Sequence, residues 1–232
     1  MSLDVAKRFI DLLLDNDENT QQYIDTRSKK AIVIDFIGGE PFLEIELMDQ
    51  IMDYFVAQMI EKDHPWQYHY MISISSNGTL YFDPKVQEFL EKHKNHLSLS
   101  ISIDGNKRLH DACRVFEDGS GSYDIAMAAV RHYIDEMGGS MGSKMTIAPE
   151  NVMYTYEAVI GLIEQGYTEI NLNCIYEKGW NESHATVLYY QLKQLADYLI
   201  ENDLYDKIYI SMFNENMFCP KPTIKADIRV MV

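Results

Sequence analysis

Strand-like and helix-like segments alternate along the whole chain, which predicts an α/β fold with a mainly parallel sheet. Three observations carry that reading. Apolar runs rich in β-branched residues recur between amphipathic helical stretches, the pattern of βα units joined by right-handed crossovers. The first of these runs, residues 31–37, stops at Gly38-Gly39 and passes through Glu40-Pro41 into a long helix. Later runs alternate apolar residues with small polar ones instead of reading apolar throughout.

Taken in order, residues 4–14 predict a helix, with Val5, Phe9, Leu12 and Leu13 at helical spacing and Ser2 or Asp4 as cap. A polar, acidic loop over 15–30 precedes the first strand. At its end, Gly38 and Gly39 let a ligand reach the main chain, because no Cβ stands in the way. Pro41 suits the first helical turn, where a missing N–H costs nothing. A structural corner would read the same way. The helix over 43–62 carries Met48, Ile51, Phe55 and Met59 as one apolar stripe, which reads as core. His64-Pro65 breaks it.

The second strand, 70–75, ends at Asn77-Gly78-Thr79, and Asp83-Pro84 opens a helix to about residue 93 as cap plus N1 proline. The third strand, 97–103, ends at Asp104-Gly105. A loop holding His110-Asp111 and Arg114 leads to a helix at 122–137, and a glycine linker leads to a strand at 144–148. A helix at 151–165 stops at Gly166. Residues 169–174 form a strand, 183–202 a helix with Leu188, Leu192, Leu195 and Leu199 in register, and 207–212 the last strand. From Cys219 onward no periodic pattern is visible.

A chain of 232 residues, 47% hydrophobic and 24% charged, favours one soluble domain with a sizeable core. The formal net charge of −16, from 20 Lys and Arg against 36 Asp and Glu, argues against a nucleic-acid surface. No apolar run approaches a membrane span and the first residues are not a secretory signal, so no membrane partner and a cytoplasmic location are expected. Cys113, Cys174 and Cys219 lie far apart with no Cys-x-x-Cys spacing, so they cannot close a local zinc or iron–sulfur site.

The alternation assigns two faces. Ile72, Ile74, Leu99, Ile101, Ile103, Ile170 and Leu172 belong under the helices; Ser73, Ser75, Ser98, Ser100, Ser102, Asn171 and Asn173 belong opposite. A curved sheet whose concave side holds a polar ligand fits this pattern. An open sheet with one face in water gives the same alternation.

Gly38-Gly39-Glu40-Pro41, then Ser76-Asn77-Gly78-Thr79, then Ser100-Ile101-Ser102-Ile103-Asp104-Gly105, then His110-Asp111-x-x-Arg114 and Gly121-Ser122-Tyr123-Asp124 together resemble the core of a radical SAM enzyme. Their order and spacing are similar to the SPASM-type branch, which includes sulfatase-maturing enzymes and peptide maturases. The resemblance covers roughly residues 3–215. It implies an incomplete (β/α)6 partial barrel binding S-adenosylmethionine beside a [4Fe–4S] cluster, and a peptide or protein substrate. Gly38, Gly39 and Glu40 are implied to meet the methionine amino group through main-chain carbonyls, with Pro41 fixing the turn. Ser102 is implied at the ribose or carboxylate, Arg114 at the carboxylate, and Asn77 on the ribose side. The place of His110 in its motif implies a structural hydrogen bond, and Asp104 reads equally as a turn cap.

The sequence also departs from the family. The first strand and its Cys-x-x-x-Cys-x-x-Cys loop belong ahead of the helix that begins near Ser2, and neither is found. The expectation is therefore a truncated core over 1–215, with 216–232 as the start of a C-terminal extension or an irregular tail. A cluster is not expected to bind this chain, nor the chain alone to be active. The edge beside the 31–37 strand is expected to be open to self-association. The rival expectation is a degenerate, non-catalytic binding module. An unrelated (β/α) barrel hydrolase ranks last, because no acid pair, metal triad or nucleophile elbow is present.

Overall fold

The computed structural model describes residues 1–15, 31–139, 141–177, 179–214 and 229–231. In chain order the elements are α1 (Leu3–Asp15), β1 (Ile32–Phe36), α2 (Ile45–Glu61), β2 (Tyr70–Ser76), α3 (Pro84–His93) and β3 (Leu97–Ile101). They continue with α4 (Lys107–Cys113), α5 (Tyr123–Asp135), β4 (Ser143–Ile147), α6 (Thr155–Glu164), β5 (Glu169–Cys174), α7 (Glu182–Glu201), β6 (Tyr209–Ile210) and β7 (Arg229–Met231). Two compact units result. One takes in Met1–Ser76, Leu80–Leu99 and the β7 strand; the other takes in Asn77–Thr79 and Ser100–Ile224.

The first unit carries a sheet in the order β3-β2-β1-β7. β1 is parallel to both neighbours, with Ile34 opposite Ile72 on one side and Val230 on the other. The edge expected to stand open is therefore covered along Val33–Asp35, and self-association through that stretch loses its basis. Pro41–Glu44 form a 3-10 turn ahead of α2, whose Met48, Ile51, Phe55 and Met59 are buried as their period demands. The α1 helix instead buries Ala6, Ile10, Leu13 and Leu14, leaving Val5 and Leu12 exposed. Tyr54 on α2 donates to Asp11 at 2.8 Å, which fixes that helix pair. Asp83 accepts from the Lys85 N–H and caps α3 ahead of Pro84.

The second unit carries a parallel sheet in the order β4-β5-β6. Among the described residues the strands thus form two hydrogen-bonded ladders of parallel strands. On the flank of β4 away from β5, the Thr146 N–H goes to Asp104 Oδ1 at 2.9 Å. Two further expectations are corrected here. The stretch around His110 is not a loop but the helix α4, capped by Asn106, whose side chain accepts from the Leu109 N–H at 3.1 Å. The last strand shrinks to Tyr209–Ile210, followed by the 3-10 turn Ser211–Phe213. Of the loop expected over 15–30, Asp15 is the last residue of α1 and residues 16–30 lie outside the described residues, as do Cys219 and most of the 216–232 tail, of which Arg229–Met231 are the strand β7.

The facial assignment holds. Ile72, Ile74, Leu99, Ile101, Ile103, Ile170 and Leu172 are buried. None of Ser73, Ser75, Ser98, Ser100, Ser102, Asn171 and Asn173 is.

Candidate functional site

In the first unit the candidate residues form the corner after β1. Gly38 and Gly39 are both exposed, and a Cβ built on either meets no atom within 4 Å. Neither has a positive φ. The fold itself therefore makes no demand for glycine at these two positions, and the space beside them suits a group that approaches the backbone. Glu40 is half-buried and extended (φ −149°, ψ 108°). Its carboxylate accepts from the Phe42 N–H at 3.1 Å and from Ser76 Oγ at 2.8 Å, which ties the corner to the end of β2. The side chain is engaged within the protein, so Glu40 has its main chain to offer. Pro41 is buried at the start of the turn.

A cavity of about 180 Å³ opens beside this corner, lined by Phe36, Ile37, Gly38, Gly39, Pro41 and Met48 among others. It falls below the roughly 300 Å³ at which pockets begin to enclose a whole nucleotide-sized ligand. On its own it takes a small group.

In the second unit Asn77, Ser102 and Arg114 are each half-buried. Asn77 Oδ1 accepts from both the N–H and the hydroxyl of Thr79 at 2.8 Å, closing an Asx turn. Gly78 follows at φ +79°, where a Cβ would lie 2.9 Å from Ile101 Cγ2. That glycine is structural. Arg114 Nε donates to Asp104 Oδ2 at 2.5 Å, and Asp104 is buried.

His110 completes this network from a fully buried position. Its Nδ1 accepts from the Asp104 N–H at 3.2 Å, so its Nε2 carries the proton and donates to Ser122 Oγ at 3.1 Å. Ser122 Oγ in turn donates to the Arg114 carbonyl at 3.1 Å. Burial holds the His110 pKa below its ordinary value, with Asp104 opposing and Arg114 reinforcing that shift. His110 is therefore a neutral structural link, as its motif implied. Asp104 does more than cap a turn, since it joins Arg114 to the margin of β4. Sequence reasoning did not find Thr146 or the partnership of Ser122 with His110, because their spacing follows no local period.

Among the described residues the donor set does not fit an iron–sulfur cluster. Cys113 is exposed at the end of α4 and Cys174 is half-buried at the end of β5, its thiol pKa pushed up by burial. Among the described residues no group of three His, Cys, Asp or Glu side chains could hold a metal ion. Within the first unit the Gly38-Gly39 corner leaves the main chain open, and within the second Asp104 holds the Arg114 guanidinium.

No family model matches the sequence. An uncharacterized protein from Methanocaldococcus jannaschii, MJ0907, is 26% identical over 188 residues, which is 81% of this chain and 57% of that protein. Among solved structures, anSMEcpe with bound AdoMet and the Cp18Cys peptide superposes with a TM-score of 0.71 at 18% identity, over 97% of this chain and 60% of the other. SuiB of Streptococcus suis, bound to its precursor peptide SuiA, gives 0.54 at 15% identity, over 90% of this chain and 42% of the other. The likeness is one of fold. The chain spans little more than half the length of the curated relative it matches.

Proposed function

We propose that this chain is the S-adenosylmethionine-binding core of a radical SAM oxidoreductase of the SPASM-type branch that modifies a peptide or protein side chain. The observation that carries the reading is the Gly38-Gly39 corner, where glycine stands at a strand's carboxyl end with neither a steric nor a φ requirement for it. The sequence motifs in order and the fold shared with AdoMet-bound and peptide-bound proteins support it. In this reading the carbonyls of Gly38, Gly39 and Glu40 receive the methionine amine, with Pro41 setting the turn. Arg114 receives the carboxylate, Ser102 the ribose or carboxylate, and Asn77 the ribose side.

The parent chemistry is hydrogen abstraction by a 5′-deoxyadenosyl radical, which a reduced [4Fe–4S] cluster generates from the bound sulfonium. No step of it is assigned to these residues, because their thiols do not make a cluster site. In this reading the thiolates of a cluster come from residues other than the described Cys113 and Cys174. Calorimetric titration of the purified chain with S-adenosylmethionine tests the binding; no heat of binding at millimolar ligand removes the proposal. Formation of 5′-deoxyadenosine by this chain with a reductant would contradict the expectation that a cluster does not bind this chain. The second reading, a non-catalytic binding module, is favoured by that same donor set and shares the binding step.

A further inference from the structure

We infer that Asp104 is the positioning residue for Arg114, holding its guanidinium end-on toward the ligand carboxylate. The inference rests on the proposed role of Arg114 and extends it to a residue that makes no ligand contact itself. Asp104 engages Arg114 through Nε alone. Neither terminal nitrogen of Arg114 makes a hydrogen bond or ion pair among the described residues. A carboxylate on Nε leaves the two Nη groups as a planar fork for a second, bidentate carboxylate.

Asp104 is itself fixed at three points. Its backbone N–H donates to His110, its Oδ1 accepts from Thr146, and its Oδ2 accepts from Arg114. The Arg114 carbonyl is held by Ser122, which His110 orients. Both ends of Arg114, main chain and guanidinium, are thus anchored to one buried imidazole. Arginine is among the side chains with most rotamer freedom to lose when it grips a ligand. An arginine ordered beforehand loses less on binding.

Electrostatics alone predicts the opposite sign. A carboxylate beside Arg114 lowers the positive field that an anionic ligand meets, so removing its charge would tighten binding. Asp104→Asn separates the two effects. The Asn oxygen retains the bond from the Thr146 N–H, which places the amide nitrogen, a donor, against the Arg114 Nε donor.

The test is calorimetric binding of S-adenosylmethionine and of decarboxylated S-adenosylmethionine, which differs only by the carboxylate, to wild type, Asp104→Asn and Arg114→Ala. The expected result is that wild type prefers the carboxylate-bearing ligand, Asp104→Asn loses about tenfold for it alone, and Arg114→Ala loses the preference entirely. Unchanged or tighter binding by Asp104→Asn, with the preference still abolished in Arg114→Ala, overturns the role of Asp104 and leaves that of Arg114 standing. A wild type without preference overturns both. Should Asp104→Asn fail to fold, the ¹⁵N spectrum of wild type decides. An exchange-protected Arg114 Nε–H, assigned by its loss in Arg114→Lys, supports the positioning, and a fast-exchanging one overturns it.

Discussion

Two corners, one after β1 and one after β3, use glycine for opposite reasons. At Gly105, φ is +89° and a Cβ would fall 2.6 Å from Ala158 Cβ and 2.7 Å from Ala158 Cα, so helix α6 packs onto a position only glycine can fill. At Gly38 and Gly39 a Cβ meets nothing and φ is unremarkable. One corner is closed by the chain's own packing. The other is left open, and that openness is the property a ligand needs. A glycine after a strand is thus two different statements, and only the surrounding space tells them apart.

Substitutions at and around the two corners test this contrast. The largest effect is expected from Gly105→Ala, which combines a disfavoured φ with a clash against helix backbone and should cost roughly 2–4 kcal/mol in urea unfolding. A loss under about 1 kcal/mol would mean that the second corner is not closed as described.

Next comes His110→Phe, which leaves the Asp104 N–H and the Ser122 hydroxyl buried without their imidazole partner, at about 1–3 kcal/mol. This variant also carries a pH signature. The folded His110 pKa lies below its unfolded value of about 6.5, so the unfolded chain binds more protons between the two. Its contribution is complete above about pH 6.5 and is lost as pH falls from there toward the folded pKa. Burial lowers His64 and His93 in the same direction. The difference between wild type and His110→Phe, measured from pH 7.5 to 5, isolates the His110 share and should shrink as the pH falls.

A smaller effect tests the internal bond of the open corner. Ser76→Ala removes one of the hydrogen bonds to Glu40 and should cost about 1 kcal/mol, read as a shift of the urea midpoint at constant slope. The smallest stability effect belongs to Gly39→Ala, expected within about 0.5 kcal/mol of wild type. The same variant should weaken S-adenosylmethionine binding measurably. A marked loss of stability in Gly39→Ala would make this corner the same kind as the other.

Much of the architecture was legible because it rests on local period. Met48, Ile51, Phe55 and Met59 lie on one face of a helix at any tertiary arrangement, and the Asp83-Pro84 pair announces its own helix start. The alternation of serines with Ile72, Ile74, Leu99 and Ile101 separates a less buried face from a buried one, as the period of two requires. What escaped reading is either too short or too distant. The α4 helix is seven residues long, less than two full turns, so no stripe identifies it. Asp104 was read as a cap because Gly105 follows it, yet its oxygens reach Arg114 ten residues on and Thr146 forty-two residues on. Nothing in the spacing of those residues encodes that meeting.

The parallel pairing of Arg229–Met231 with β1 gives that strand a neighbour on either flank. Its central amides should therefore exchange with deuterium more slowly than those of Tyr209–Ile210, which among the described residues pair on one side only. Clipping the last eight residues should unmask half of the β1 amides to solvent while the β2-facing half keeps its protection.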